Sequence, residues 1–166
     1  MASEFALRVV KAFESFSPDP YECPGGETTI GFGHVILPTE DFEGGPITMA
    51  AAEDLLARDF RIAQTAVLSE VVVPLEAHEV EALGSFVFNL GQAKFAGSTL
   101  LKRVKAGDRH GAAKEFLRWI YAKSKPQRGL IRRRHAECVW FLGAPEATVL
   151  YLAESGWNQT RPVAPP

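Results

Sequence analysis

The chain has 166 residues, 46% of them apolar, enough for one domain or two small lobes with a buried core. Its 18 Lys and Arg against 20 Asp and Glu give a net charge of −2, so the overall balance calls for neither nucleic acid nor a membrane surface. The two cysteines, Cys23 and Cys138, lie far apart and form no CxxC pair. They supply neither a disulfide framework nor a zinc signature and are expected to be reduced in the cytosol.

The first residues, MASEFALRVVKAFE, carry Glu4, Arg8 and Lys11, which break up any signal-peptide core or membrane anchor. Phe5, Val9, Ala12, Phe13 and Phe16 recur at helical spacing, with Ser3 as N-cap. Pro18 and Pro20 predict that this helix ends near Ser17. Short strands are expected in PGGETTIGFGHVIL and EDFEGGPIT, with Gly25-Gly26 and Gly44-Gly45 as turns. Alternation puts Thr28, Ile30, Phe32 and His34 on one strand face and Thr29, Gly31, Gly33 and Val35 on the other.

From Thr48 onward the pattern is helical. Leu56, Phe60, Ala63 and Val67 form one stripe of a helix capped by Thr48 and broken by Pro74. A second helix carries Val80, Leu83, Val87 and Leu90 and stops at Gly91. Shorter helices follow: one between Ser98 and Gly107, one from the Asp108 cap through Ala122, and one over GLIRRRHAECVWFLG closed by Gly143. This order predicts an α+β fold, with a small N-terminal β-hairpin lobe (about 18–48), a larger helical lobe and a cleft between them. Residues 1–145 are expected to form the catalytic domain, and 146–166 a C-terminal extension, a short helix and then a loose tail.

The chemistry centres on FESFSPDPYECPGGETTIGFGH, Phe13 to His34. Glu14 stands at the end of the first helix, where Phe13 and Phe16 can shield a carboxyl from water and favour its proton-donating form. An exposed helix-end glutamate is the plainer reading. Eight residues separate Glu14 from Cys23, and five separate Cys23 from Thr29. Together with TTIGFGH, with LGSFVFNLG (Leu83 to Gly91), and with GLIRRRHAE followed by WFLG, this spacing resembles the phage lysozymes, glycoside hydrolase family 24. The resemblance spans about residues 5 to 143 and leaves out the chain after Gly143.

The resemblance implies a lysozyme-like fold and hydrolysis of the β-1,4 bond between N-acetylmuramic acid and N-acetylglucosamine in peptidoglycan, for host cell lysis. Glu14 would be the general acid, with Cys23 and Thr29 positioning water. Cys23 takes the second-carboxylate position, where the family pattern has Asp or Cys. A free thiol is mostly neutral at pH 7 and a weak acceptor, so it would hold water less firmly than a carboxylate. A neighbouring carboxylate could substitute. In an extended segment, however, Glu22 points away from Cys23, and Asp19 and Glu27 miss the spacing. As a thiolate, Cys23 could act as a base or attack the sugar carbon, which leaves inversion and retention both open.

Gly31 and Gly33 would let a glycan approach the backbone. His34 is a candidate substrate contact whose structural role is at least as well supported. Phe88 and Asn89 would line the cleft, Asn89 toward N-acetyl groups, with core packing the plainer reading of Phe88. Arg132 matches the family arginine that pairs with the catalytic Glu, and Arg133 is the alternate. Two other readings remain: a lytic transglycosylase on the same bond, and a catalytically silent peptidoglycan-binding or phage-particle protein. The arginine cluster is a poor nucleic-acid site in a slightly acidic chain. No metal or phosphate-loop motif is present, so no cofactor is expected. The expected protein is a monomer that binds glycan strands, does not insert stably in membranes, and waits in the host cytoplasm until a holin opens the way to the periplasm and wall.

Overall fold

The computed structural model describes residues 2–23, 26–42 and 45–155. The chain divides into two compact units, Met1–Arg61 and Ile62–Pro166, and the boundary falls inside one long helix. The turns expected at Gly25 and Gly44 and the tail from residue 156 lie outside the described residues.

In the first unit, α1 spans Glu4–Lys11. Ser3 caps it as expected, its hydroxyl accepting from the Ala6 amide at 3.0 Å. The fully buried residues are Ala6, Val9 and Val10, a narrower stripe than the phenylalanine-rich one read from the spacing. The helix also ends six residues early. Ala12 is the C-cap, and the amides of Phe13 and Glu14 close tighter turns onto Val10 (3.0 Å) and Lys11 (3.2 Å). The cause lies downstream. Ser17 and Asp19 each precede a proline and are forced into extended backbone, so Ser17–Glu22 becomes a strand, β1.

Strand β1 pairs with β2 (Thr28–Gly31), which pairs with β3 (His34–Val35), all antiparallel. Pro18 and Pro20 are tolerated because β1 is at an edge and because its register shifts between Ser17↔Gly31 and Tyr21↔Thr29. The run from Thr28 to Val35 is not one strand. Phe32 and Gly33 form a two-residue turn, with Gly33 at φ +87°. A two-residue turn conserves side-chain parity, so Ile30 still faces with His34 and Thr29 with Val35. Among the described residues 36–48 there is no strand; one bond from the Ile47 amide to the Pro18 carbonyl (2.9 Å) attaches this segment to β1.

Helix α2 (Met49–Glu70) is capped by the Thr48 hydroxyl, which accepts from the Ala51 amide at 3.1 Å. Leu56, Phe60, Ala63 and Val67 are all buried, as their spacing predicts. In the second unit, α3 (Ala77–Leu90) opens with a reciprocal cap between Glu76 and Glu79 and closes at Gly91, φ +87°. Leu83 and Val87 are buried, while Val80 and Leu90 are half-buried. The short α4 (Gln92–Ala96) was not expected. Helix α5 (Thr99–Lys105) follows with the predicted Ser98 cap, and α6 (Arg109–Phe116) with the predicted Asp108 cap. Phe86 forms the hub of the core, edge-on to Phe95 (6.2 Å), Phe116 (5.5 Å) and Trp119 (5.3 Å).

Helix α6 stops at Phe116 instead of continuing through Ala122. Residues 121–126 form a hairpin of β4 (Tyr121–Ala122) and β5 (Lys125–Pro126). Its turn places Lys123 at φ 50° and Ser124 at φ 61°, left-handed backbone without the Asn-Gly or Asp-Gly signal that would have disclosed it. Helices α7 (Arg128–Phe141) and α8 (Glu146–Glu154) complete the described fold, with Gly143 at φ +76° between them.

The hairpin turn yields a stability prediction. Two L-residues with side chains are strained in left-handed backbone. Replacing Lys123→Asn with Ser124→Gly should stabilise the protein by about 1 kcal/mol and raise the melting temperature by roughly 2–4 °C. Thermal unfolding of the double variant checks this; an unchanged or lower midpoint would count against it.

Candidate active site

Glu14 is half-buried in the turn after α1, beyond the helix and not in its last turn. Its Oε2 lies 3.9 Å from the place a Cβ on Gly33 would occupy, so the carboxyl stands beside the Phe32-Gly33 turn. Phe32 packs on Phe16 with ring centroids 5.5 Å apart, and the Lys11 ammonium lies 5.3 Å over the Phe32 ring. Lys11 is also paired with Glu53 of α2. Gly33 therefore does two things: it supplies the positive φ that the turn requires, and it leaves the Glu14 side without a side chain.

Cys23 is half-exposed just past β1. Its amide donates to the Glu27 carbonyl at 2.9 Å, and its carbonyl accepts from the Gly26 amide at 2.9 Å. This continues the ladder Tyr21↔Thr29, Glu22↔Thr28 by one step, with Cys23 opposite Glu27. By strand parity Tyr21, Cys23, Glu27 and Thr29 share one side of the hairpin, and Glu22 lies on the other. Glu22 is thus placed as expected, but Glu27 lies on the Cys23 side, which residue counting along one strand did not disclose. Thr29 is buried, and its hydroxyl donates to the Tyr21 carbonyl at 3.3 Å.

Gly31 is buried at φ +66°, and an added Cβ would come within 3.2 Å of the Ala52 Cβ and 3.4 Å of the Ile47 Cδ1. Its lack of a side chain makes room for the start of α2. His34 is buried in an ionic network. Its Nδ1 is 2.6 Å from Asp59 Oδ2, and its Nε2 is 2.8 Å from Glu40 Oε2 and 3.1 Å from Arg58 Nη2. Arg58 also donates to Glu40 Oε1 at 2.6 Å. The Leu37 amide, donating to Glu40 at 3.0 Å, does most to hold the Glu40 carboxyl down at about 2, and His34 and Arg58 add to it.

In the helical unit, Phe88 and Asn89 are half-buried near the end of α3, and Arg132 is half-buried on α7. Sequence reasoning named these and Arg133 but missed the residues that hold them. Glu137 is fully buried. Its Oε1 accepts from the Ser85 hydroxyl (2.7 Å), Arg133 Nε (3.1 Å) and Arg134 Nη2 (3.1 Å). Its Oε2 is ion-paired with Arg134 Nε at 2.9 Å. Arg133 lies 6.0 Å from the Phe88 ring, and Arg134 donates to Asn89 Oδ1 at 2.9 Å. Burial lowers the Arg134 pKa to about 10, opposed by the Glu137 charge, so the guanidinium remains charged at neutral pH. The signal was available: Arg133–Glu137 is an i,i+4 pair and Arg134–Glu137 an i,i+3 pair within the RRRHAE run.

Among the described residues no group of three or more His, Cys, Asp or Glu side chains could hold a metal ion, and no helix is long and apolar enough to cross a membrane. The family model described as phage lysozyme matches residues 11–137. The chain belongs to the phage lysozyme family. It is a lysozyme-type glycoside hydrolase with an α+β fold. An endolysin from Acyrthosiphon pisum secondary endosymbiont phage 1 is 37% identical over 147 residues, covering 86% of this chain and 98% of that protein. The endolysin of Escherichia coli O157:H7 phage FAHEc1 superposes with a TM-score of 0.74 at 31% identity, covering 86% of this chain and 93% of that one. The muramidase domain of SpmX from Asticaccaulis excentricus superposes with a TM-score of 0.77 at 32% identity, covering 87% and 99%.

The Glu40 network gives this lysozyme a pH signature. A carboxyl whose folded pKa of about 2 lies below its ordinary 4.5 contributes stability that is complete above about pH 5. That contribution is lost as pH falls from about 4.5 toward about 2. Glu40→Gln should destabilise the protein at pH 6 by on the order of 1–2 kcal/mol, a value discounted for the partly exposed Arg58 partner. The gap to wild type should close toward pH 2. Urea unfolding of both proteins from pH 6 to pH 2 tests this; a gap constant with pH would exclude Glu40 titration as the cause.

Proposed function

We propose that this lysozyme is an endolysin muramidase that hydrolyses the β-1,4 bond between N-acetylmuramic acid and N-acetylglucosamine, with Glu14 as its general acid. The observation that carries the reading is the half-buried Glu14 carboxyl beside the side-chain-free Gly33 turn, in the segment that also bears Cys23 and Thr29. Family membership supports peptidoglycan degradation as the activity class. Glu14 protonates the leaving glycosidic oxygen as positive charge develops at the sugar carbon. Cys23 and Thr29, on one side of the hairpin, hold the attacking water. Asn89 and Phe88 contact the glycan, Gly31 and His34 shape the hairpin that meets it, and Arg132, with Arg133 as alternate, is the arginine of the family motif.

In this reading residues 1–145 form the catalytic domain and 146–166 an extension. The protein acts as a monomer, stays in the host cytoplasm until a holin releases it to the wall, and serves host lysis. A lytic transglycosylase is the second reading, favoured by one feature: a thiol at Cys23 is a weak group for holding water, and that reaction needs no activated water, since the sugar's own hydroxyl attacks.

The test is digestion of Gram-negative-type peptidoglycan followed by mass analysis of the products. Wild type should release reducing muramic ends, and Glu14→Gln should be slower by roughly 10²–10⁴-fold. Anhydro ends from wild type would assign a transglycosylase, and an absence of products would leave a binding protein. Cys23→Ser should keep activity within about tenfold of wild type, because a hydroxyl can still hydrogen-bond water. Alkylation of the Cys23 thiol should abolish activity by adding bulk there, and an alkylated enzyme that remains fully active would remove Cys23 from the site.

A further inference from the structure

Asn89 carries a carboxamide, which can present either two donors or an acceptor, depending on which way it is turned. Its orientation is normally ambiguous because the nitrogen and oxygen look alike. Here the neighbour removes the ambiguity. The group that meets the Asn89 side chain is the Arg134 guanidinium, 2.9 Å away through Nη2. A guanidinium has only donors, so the Asn89 atom facing it must be Oδ1.

Arg134 itself cannot turn away. It has no solvent exposure, it is bonded and ion-paired to Glu137 on α7, and its Cζ lies 5.0 Å over the Phe86 ring. Glu137 is in turn held by Ser85 and Arg133, both buried. Asn89 is partly exposed at the end of this chain of contacts, with its Nδ2 on the side away from Arg134.

We infer that Arg134, backed by Glu137, is a positioning residue that locks Asn89 as a donor, so that Asn89 recognises a hydrogen-bond acceptor on the glycan, the carbonyl oxygen of a 2-acetamido group. This rests on the reading that Asn89 meets the glycan. It goes further by fixing the polarity of the contact and naming the residues that set it. A site of this kind discriminates by polarity: an acceptor at the same position would leave the ligand carbonyl facing another lone pair.

The decisive variant is Asn89→Asp in the full chain. It is nearly the same shape and still accepts from Arg134, now as a charge-assisted bond, so the fold should melt at or above the wild-type temperature. It has no protons to donate when ionised. Binding of a peptide-free tetrasaccharide of alternating N-acetylglucosamine and N-acetylmuramic acid, measured calorimetrically, should weaken at least tenfold. In wild type, the one side-chain amide pair absent from the Asn89→Asp spectrum should shift in ¹⁵N-correlated NMR when this tetrasaccharide is added.

Arg134→Lys keeps the charge and the donor-only character and should bind within about threefold of wild type. Arg134→Gln with Glu137→Gln neutralises the pair, frees the amide to turn, and should lose affinity with KM rising more than kcat falls. If Asn89→Asp binds as wild type does, or if the Asn89 amide does not shift, the inference is overturned. Wild-type binding without cleavage would instead remove the muramidase reading and leave the amide test to be judged on its own result. No binding by wild type would remove both.

Discussion

Glu137 is an acidic side chain with no solvent exposure in the middle of α7, and the packing of α3 on α7 is organised around its partners. Removing an ion from water costs several kcal/mol unless partners replace the lost hydration. Two guanidiniums and a hydroxyl do so here, and the hydroxyl comes from Ser85, across on α3. Hydrophobic packing around Phe86 would tolerate small slides of one helix along another. A buried carboxylate with three directional donors to one oxygen does not. The network therefore fixes how α3 and α7 meet, which apolar burial alone leaves looser. The same two arginines reach Phe88 and Asn89, the exposed-side residues of α3, so the constraint extends from the core to the surface.

The first unit solves the same problem with less hydrophobic material. Its sheet is short, one edge is interrupted by two prolines, and much of β1 is exposed. Here His34 does the anchoring. Asp59 and Arg58 tie it to α2, and Glu40 ties it to the irregular segment after β3. His34 is the residue after Gly33, and Gly33 stands beside the Glu14 carboxyl. In each unit an ionic network around a buried residue, His34 or Glu137, is thus connected to residues with a proposed role in chemistry or binding. Such support keeps reacting groups in place at the moment of reaction, without reorganisation.

Local signals are legible in the sequence wherever a single residue type decides the backbone. The caps at Ser3, Thr48, Ser98 and Asp108 and the stop at Gly91 all stand where their chemistry places them. The failures occurred where a distant partner decides. Pro18 and Pro20 have the look of helix stops, but they belong to an edge strand paired with Thr28–Gly31, and that pairing cuts α1 short at Lys11. The hairpin after α6 has Lys and Ser at its left-handed positions, so no turn residue announced it. At the candidate site, the spacing of Glu14, Cys23 and Thr29 was visible, whereas the sharing of one hairpin side by Glu27 and Cys23 required the register. Glu137 was in plain view at helical spacing from two arginines, yet only its burial shows which face of α7 they occupy.

Cys23 poses the sharpest chemical question under the muramidase reading, because the acid and the water-holding group are not equally demanding. An alkoxide leaving group is so poor that losing its proton donor cannot be made up by small adjustments. Holding a water molecule is a matter of orientation, and that task divides among several weak groups. Thr29 contributes in a definite sense. Its hydroxyl proton is committed to the Tyr21 carbonyl, so what it offers a water is a lone pair. A water that donates to Thr29 turns its own lone pairs away from the strand and toward an approaching sugar carbon. The thiol of Cys23 then needs only to complete the orientation, and Glu27, opposite it on the ladder, is a further acceptor on that side. The bond from Thr29 to Tyr21 exists because β1 recovers its register after the two prolines. Under that reading, the register of the irregular edge strand sets how Thr29 presents its lone pair to the water.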